Sequence, residues 1–293
     1  MSDAKKTRTA ALLLLLTSAI WGFAFVAQVA GSQYVRPFTF NGVRFALGAV
    51  SLVPVICIFE RGKSSSADWR RTLAGGAIAG VVLFAAAALQ QFGVEFTGSA
   101  GKSGFITGLY TVIVPVIGAF TGRRSGPFIW IGAALACGGL YLLCAPGELR
   151  DVGIGDIVLF IGAIFWAAHI IVVDRYAGNV GPLRFSAVQF AVCSALSLAC
   201  AFIFEDVSAS SILDCKIPIL YSGLLSVGVA YTLQSVGQRG VEPSRAAIIF
   251  STESLFSAIG GAILLGETMP PRSYAGCALI FVGIIISQIR HLG

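Results

Sequence analysis

The chain contains 293 residues, of which 56% are hydrophobic and only 12% are charged, and its mean hydropathy is +0.86. Soluble domains carry about 25% charged residues, so a soluble globular fold is excluded, and the abundance of apolar residues also excludes a disordered chain. The net charge of +6 comes from basic residues spread over short loops, which argues against nucleic acid as a partner. The composition therefore predicts an integral membrane protein.

Ten predominantly apolar segments follow one another along the chain, each of roughly the 20 residues that a helix needs to cross a bilayer. They cover residues 10–30, 37–59, 72–92, 99–121, 127–145, 156–173, 183–204, 217–237, 245–265 and 273–289. The runs are uniformly apolar and lack the alternation of a membrane β-barrel. We therefore expect an all-α protein with ten transmembrane helices and no room for a soluble catalytic domain.

Basic residues in the connections predict the orientation of these spans. With the N-terminus in the cytoplasm, one side of the membrane receives 14 of the 20 Lys and Arg residues, namely Lys5, Lys6, Arg8, Arg61, Lys63, Arg70, Arg71, Arg123, Arg124, Arg175, Arg184, Arg239, Arg245 and Arg290. The other side receives five, namely Arg36, Lys102, Arg150, Lys216 and Arg272. Cytoplasmic loops are enriched in basic residues. The sequence thus predicts a multi-pass protein of the cytoplasmic membrane with both termini in the cytoplasm.

The second half of the chain repeats the first at a nearly constant separation of about half the chain length. The matched pairs include Trp21 with Trp166, Pro37 with Pro182, Gln90 with Gln234, Gly132 with Gly276, and Gly139 with Gly283. Each half contains five spans, and because five is odd, the second half enters the membrane in the opposite sense. We expect two inverted repeats, residues 1–146 and 147–293, around a central cavity. Inverted repeats are typical of secondary transporters, which bind their substrate near the bilayer midplane.

The order of these motifs resembles the drug/metabolite transporter superfamily, in its ten-helix EamA-type branch. The resemblance is carried by Ile20-Trp21-Gly22-Phe23, by Pro37 leading to Phe40-Asn41-x-x-Arg44-Phe45, by the second copies of both at Phe165-Trp166-Ala167-Ala168 and from Pro182, and by Leu264-Leu265-Gly266-Glu267. The copies differ, since Gln189 replaces Arg44 and Gly122-Arg123-Arg124 stands where the first half would need Gly-Glu. The resemblance implies a basket in which spans 1–4 and 6–9 surround the cavity and spans 5 and 10 lie at the periphery.

The resemblance also implies a function. Members of the superfamily move amino acids, other small metabolites or lipophilic drugs, commonly outward and commonly driven by proton or substrate gradients. The length and layout are similar to those of amino-acid exporters, so we expect an exporter of small metabolites, amino acids first, that works by alternating access. A multidrug or other metabolite carrier of the same fold is the alternative. The expected partners are a small-molecule substrate, membrane lipid and a coupling proton, and the expected state is a monomer or weak dimer.

Two other classes of function compete with transport. An intramembrane enzyme would need paired Asp residues, a Ser/His pair or a metal cluster at depth. No Asp lies in the interior of a predicted span, and no CxxC motif or His/Cys cluster occurs, so we expect no enzyme activity, no cofactor and no metal. A channel or a scaffold without transport activity is the third class.

Ionisable residues at membrane depth are functional candidates, because a charge at the bilayer centre costs at least about 2.5–3.5 kcal/mol. The interiors of the spans contain Arg44, His169 and Glu253. Arg44 could bind a carboxylate in a bidentate manner, Glu253 could bind a proton or a substrate ammonium group, and His169 ordinarily titrates near neutral pH. The structural alternatives are interhelical hydrogen bonds for His169 and Glu253, and for Arg44 a side chain that extends to the interface.

Neutral polar and aromatic side chains complete the predicted site, since they suit an amphipathic small molecule. The substrate-binding candidates are Trp21, Gln90, Tyr110, Trp166, His169, Tyr231 and Gln234. The candidates for coupling or gating are Glu253, Arg44 and Pro115. Pro115 lacks a backbone N–H and so favours a kink within the fourth span. For each aromatic residue, packing is the alternative role.

Overall fold

The computed structural model describes residues 3–60, 66–122, 125–144, 153–177, 180–268 and 271–287. This part of the chain folds into ten long helices and contains no β-strand. The helices are α1 (Asp3–Gly31), α2 (Pro37–Phe59), α3 (Ser66–Thr97), α4 (Ala100–Phe120), α5 (Pro127–Cys144), α6 (Ile154–Ala177), α7 (Pro182–Phe204), α8 (Lys216–Gly240), α9 (Pro243–Leu264) and α10 (Arg272–Ser287).

Eight of these helices are long and apolar enough to cross a membrane. The other two, α5 and α10, contain shorter apolar stretches at Pro127–Leu142 and Ala278–Ser287. A further short helix, Ala209–Asp214, lies in the connection between α7 and α8. The predicted all-α, ten-helix architecture is therefore confirmed.

Proline sets the beginning of four helices. Pro37, Pro127, Pro182 and Pro243 occupy the first turns of α2, α5, α7 and α9. A proline is well tolerated there, because its missing N–H would have no partner within the helix and its fixed φ suits the helical backbone. These positions thus define where the chain re-enters the apolar region after each loop.

Three of the long helices are irregular. Helix α4 consists of Ala100–Gly108 and Tyr110–Phe120, and it is interrupted at Leu109, while Pro115 lies inside the second segment. The interruption follows Gly108, and glycine is a weak helix former. Helix α9 is interrupted likewise between Phe250 and Glu253. The segment Tyr221–Tyr231 of α8 is a π-helix.

Helices α2 and α7 bind each other reciprocally at both ends. Glu60, which follows α2, accepts the backbone N–H groups of Leu183 and Arg184 at the start of α7, at 3.1 and 3.3 Å. Glu205, which follows α7, accepts those of Phe38 and Thr39 at the start of α2, at 2.8 and 2.7 Å. A carboxylate is favourable at a helix N-terminus, where the first N–H groups have no intrahelical partner. Exchanging the two halves of the chain converts one contact into the other.

The same reciprocity joins α5 to α10. A Cβ atom added to Gly132 would lie 2.7 Å from the carbonyl oxygen of Gly283, and one added to Gly139 would lie 2.6 Å from that of Gly276. Small residues let membrane helices approach closely, and such packing drives their association. The glycine pairs recognised as a sequence repeat therefore meet at one interface between the repeats.

The remaining contacts between helices are also related by exchanging the two halves of the chain. Helix α1 packs on α8 and α9, and its counterpart α6 packs on α3 and α4. Helix α3 contacts α7, and correspondingly α8 contacts α2. The two halves thus form one body with an internal pseudo-two-fold relation, and α1–α4 and α6–α9 surround its centre.

Replacing Gly132 or Gly139 with alanine should destabilise the protein, because the added methyl group would overlap a backbone carbonyl that cannot move freely. Overpacking of this kind costs about 1–3 kcal/mol. Gly138 lies on the same helix with nothing within 4 Å of an added Cβ atom, so Gly138→Ala is the matched control. Thermal unfolding in detergent measures the effect, and equal melting temperatures for the three variants would contradict the proposed close contact.

Candidate functional site

A cavity with an empty volume of about 440 Å³ lies between the two halves of the molecule. Its lining residues are Trp21, Ala24, Phe25, Gln28, Arg44, Gln90, Thr107, Tyr110, Trp166, Ile170, Ser226, Tyr231, Gln234 and Glu253. Among the described residues, α5, α7 and α10 contribute none of the lining. Every lining residue except the half-buried Trp21 is buried. The cavity thus lies within the helix bundle, near the middle of α4, α6, α8 and α9.

Eight of the ten residues predicted for the site lie on this wall: Trp21, Arg44, Gln90, Tyr110, Trp166, Tyr231, Gln234 and Glu253. The other two do not. His169 lies behind the wall, and Pro115 is buried in the second segment of α4. The structure therefore brings together most of the candidates, while their roles remain predictions.

Glu253 and Tyr110 meet across the boundary between the repeats. The hydroxyl group of Tyr110 donates a hydrogen bond to Oε1 of Glu253 at 2.8 Å, and both side chains are buried. The two residues occupy equivalent positions in α9 and α4, so the pair lies where the halves face each other. No described side chain donates to Oε2 of Glu253, so this oxygen is available to a ligand in the cavity.

Arg44 is buried inside the helix bundle, where only 2% of its surface is exposed. Its Nε–H group donates to Oδ1 of Asn41 at 2.9 Å, and the amide of Asn41 donates to the carbonyl oxygen of Ala87 at 3.0 Å. The guanidinium carbon lies 5.3 Å from the ring centre of Phe40 and 5.0 Å from that of Phe45, a cation–π arrangement. Within the described chain no carboxylate pairs with Arg44, so its terminal nitrogens can bind an anion.

Aromatic rings form one side of the cavity. The ring centres of Trp21 and Tyr231 are 4.6 Å apart, those of Trp21 and Phe250 are 5.2 Å apart, and those of Trp166 and Tyr231 are 6.1 Å apart. Tyr231 thus contacts the tryptophans of both repeats. These rings give the cavity an apolar wall beside its charged groups, which suits an amphipathic ligand.

The π-helix of α8 positions part of this wall. Trp21 donates its indole N–H to the carbonyl oxygen of Ser226 at 3.3 Å, and Thr17 donates its hydroxyl to that of Ala230 at 3.2 Å. Both acceptors belong to the π-helical segment, and π-helical turns are frequent at functional sites. The irregular backbone therefore fixes α1 against α8 beside the cavity.

His169 forms an interhelical hydrogen bond and is not part of the cavity lining. One of its ring nitrogens, Nε2, lies 2.9 Å from Oε1 of Gln189 on α7, and its ring is edge-on to Trp166 and Tyr231. In the described part of the chain, no three His, Cys, Asp or Glu side chains come together to hold a metal ion. The histidine thus supports the aromatic wall from behind.

Several polar atoms on the wall are buried without a hydrogen-bond partner among the described residues. They are Oε1 of Gln28, Oγ1 of Thr107, Nε1 of Trp166 and Oε1 of Gln234. An unsatisfied buried polar group costs about 1–3 kcal/mol. Since the four atoms include both a donor and acceptors, they suit a polar ligand with groups of both kinds.

The lining includes residues that the predicted site lacked, namely Ala24, Phe25, Gln28, Thr107, Ile170 and Ser226. Helical spacing was an available signal for three of them. Phe25 and Gln28 follow Trp21 at helical spacing, and Thr107 precedes Tyr110 by one turn, so each lies on a face already assigned to the site. Ala24, Ile170 and Ser226 have no chemical feature that separates them from ordinary packing residues.

Comparison with known proteins agrees with this architecture. The sequence profile of the EamA-like transporter family matches residues 8–145 and again residues 153–288. An uncharacterized transporter of Archaeoglobus fulgidus is 28% identical over 99% of this chain and 89% of its own length. The threonine/homoserine exporter RhtA of Salmonella typhimurium is 28% identical over 56% of this chain and 55% of its own length.

A solved crystal structure shares the fold, with a TM-score of 0.74, 18% identity and 96% coverage of both chains. The family match covers both halves and nearly the whole chain, and the relatives above are transporters rather than enzymes. The predicted resemblance is thereby confirmed. The chain belongs to the EamA-like transporter family.

Proposed function

We propose that this transporter exports small zwitterionic metabolites, amino acids above all, out of the cytoplasm. The observation that carries the proposal is the central cavity, whose wall presents the guanidinium group of Arg44 and the carboxylate of Glu253. An amino acid carries a carboxylate, which suits Arg44 through charge-assisted hydrogen bonds, and an ammonium group, which suits Glu253. The similarity to the threonine/homoserine exporter RhtA supports the same substrate class.

Alternating access is the proposed mechanism. The repeats, residues 1–146 and 147–293, would rock against each other and expose the central cavity to one face at a time, as inverted-repeat transporters do. The protein would reside in the cytoplasmic membrane with both termini in the cytoplasm. Glu253 would couple transport to protons, because its Oε2 oxygen can bind either a proton or the substrate ammonium group. Tyr110 stabilises the ionised form of Glu253 by donating a hydrogen bond to Oε1.

A multidrug carrier is the second candidate function, and the aromatic wall favours it. Trp21, Trp166 and Tyr231 together could enclose a lipophilic cation, with Glu253 as its counter-ion. This function makes no use of Arg44, since a second positive charge in the cavity would repel a cation. The requirement for Arg44 therefore separates the two candidates.

Purified protein in proteoliposomes should transport radiolabelled L-threonine or L-homoserine, and a pH gradient should accelerate the flux. Tetraphenylphosphonium, a lipophilic cation, tests the multidrug alternative in the same vesicles. Protein-free vesicles are the control for leakage. Flux of the cation with none of any amino acid would overturn the proposed substrate class, and absence of all flux would overturn transport of these solutes.

Arg44→Gln should weaken substrate binding by about 10-fold to 100-fold, because a hydrogen bond to a charged group contributes about 1.5–3 kcal/mol. Arg44→Lys keeps the charge but loses the bidentate geometry, so its effect should be smaller. Arg175→Gln removes an exposed guanidinium group from α6 and serves as the matched control. Thermal-shift titration with amino acids measures the affinity, and an unchanged affinity in Arg44→Gln would exclude the residue from the site.

Glu253→Gln should abolish the stimulation of flux by a pH gradient, because the amide cannot take up and release a proton. Tyr110→Phe removes only the hydrogen bond to Oε1 and keeps the carboxylate, so its flux should still respond to the gradient. Counterflow at equal pH on both sides measures substrate exchange without the gradient. Full stimulation in Glu253→Gln would show that another group couples the proton.

A further inference from the structure

Glu267, in the turn after α9, binds the beginning of α4. Its Oε1 accepts the backbone N–H of Ala100 at 2.8 Å, and its Oε2 accepts the N–H of Gly101 at 3.2 Å and the hydroxyl of Ser99 at 3.0 Å. The two backbone N–H groups are the first donors of the helix, which have no partner within it. One carboxylate from the second repeat therefore satisfies the helix start of the first.

The turn before Glu267 is built to direct this carboxylate. Gly266 has a φ of +71°, a conformation that side chains disfavour. The backbone N–H of Glu267 then donates to the carbonyl oxygen of Gly261 at 3.0 Å. A Cβ atom on Gly261 would lie 2.8 Å from Cδ of Glu267. Both glycines are thus required for the carboxylate to reach α4.

A seam of small residues connects this contact to the central cavity. A Cβ atom on Gly104 would lie 2.2 Å from Oγ of Ser257, and the hydroxyl of Ser254 donates to the carbonyl oxygen of Gly104 at 2.6 Å. The seam continues along α4 from Gly101 towards Tyr110, whose hydroxyl group donates a hydrogen bond to Glu253. At 1.5 Å per residue, Ala100 lies about 10 Å along α4 from the cavity residue Thr107.

The opposite end of the same helix pair differs. Gly122, after α4, repeats the turn of Gly266 with a φ of +81°, but Arg123 follows it in the sequence where Glu267 follows Gly266. A second cavity, with an empty volume of about 270 Å³, lies there between α4, α6 and the start of α9. Helices α4 and α9 are therefore joined by a carboxylate at one end and border an open space at the other.

We propose that Glu267 is the latch of a gate formed by α4 and α9 at the face where α9 ends. Its carboxylate holds α4 against α9, and its release opens the central cavity to that face. The inference rests on the proposed alternating access. Helices α2 and α7 are held at both ends by Glu60 and Glu205, so they form the fixed part against which this gate moves.

Thiol labelling of the cavity wall tests the latch. Ala24→Cys introduces a thiol at a buried lining position, and a membrane-impermeant maleimide is applied to right-side-out and to inside-out vesicles. Glu267→Gln should accelerate labelling from the face where α9 ends by about tenfold, since charge-assisted hydrogen bonds are roughly twice as strong as neutral ones. The oxygen of the glutamine side chain can accept one N–H group of α4. Its NH₂ group would face the second N–H group, and two donors form no hydrogen bond.

Glu205→Gln is the matched control, because Glu205 also accepts two backbone N–H groups and a hydroxyl at a helix start on the same face. The labelling rate of Glu205→Gln should stay within about twofold of the parent protein. Its melting temperature should fall, as that of Glu267→Gln does, because both variants lose charge-assisted hydrogen bonds. Acceleration equal to that of Glu267→Gln would show general loosening and overturn the latch. Protein without the introduced thiol gives the background of the native cysteines.

A milder variant protects the test against misfolding. Gly101→Ala keeps the carboxylate but places a Cβ atom 3.2 Å from Oε2 of Glu267, so labelling should accelerate by a smaller factor. Unchanged labelling in both Glu267→Gln and Gly101→Ala, with flux intact, would overturn the latch and leave the proposed function standing. The expected labelling without any flux would support the latch and count against transport of the solutes tested.

Discussion

The first backbone N–H groups of a helix have no partner within the helix, and this constraint shapes the whole molecule. At the starts of α2, α4 and α7 those groups are bound by Glu205, Glu267 and Glu60. In each case the carboxylate belongs to the other repeat. Neither half can therefore satisfy its helix ends alone, so the bonds that complete the helices also bring the repeats together. The cavity exists because the two halves are joined in this manner.

The two repeats share a backbone plan but differ in chemistry at the cavity. Arg44 corresponds to Gln189, and Tyr110 corresponds to Glu253. Each exchange places a charged or large side chain in one half and a neutral or small one in the other. A symmetric cavity would present the same groups twice, whereas this cavity presents one guanidinium and one carboxylate. Divergence of the repeats thus allows a single ligand to bind in one orientation.

Composition, segment length and the repeat were enough to predict ten helices and most of the cavity wall. Charged residues and tryptophans at depth are rare enough to be noticed one by one, which is why Arg44, Trp166 and Glu253 could be placed there. The repeat strengthened the choice of Trp21 and Trp166, since equivalent positions lie at equivalent depths. Sequence could not show that His169 lies behind the cavity wall, because its partner Gln189 is on another helix. The sequence carried no sign of the π-helix, whose carbonyl groups accept hydrogen bonds from Thr17 and Trp21 of α1.

The seam between α4 and α9 is suited to motion in a way that other contacts are not. Membrane helices associate through close packing and interhelical hydrogen bonds, since lipid gives no hydrophobic drive. Where α4 and α9 meet, glycine faces serine, so separation exposes small polar groups. Because this seam leads to the cavity, those groups would meet water, which can replace their hydrogen bonds. The α5–α10 pair, joined by glycines and apolar side chains at the periphery, has no such compensation and is expected to remain closed.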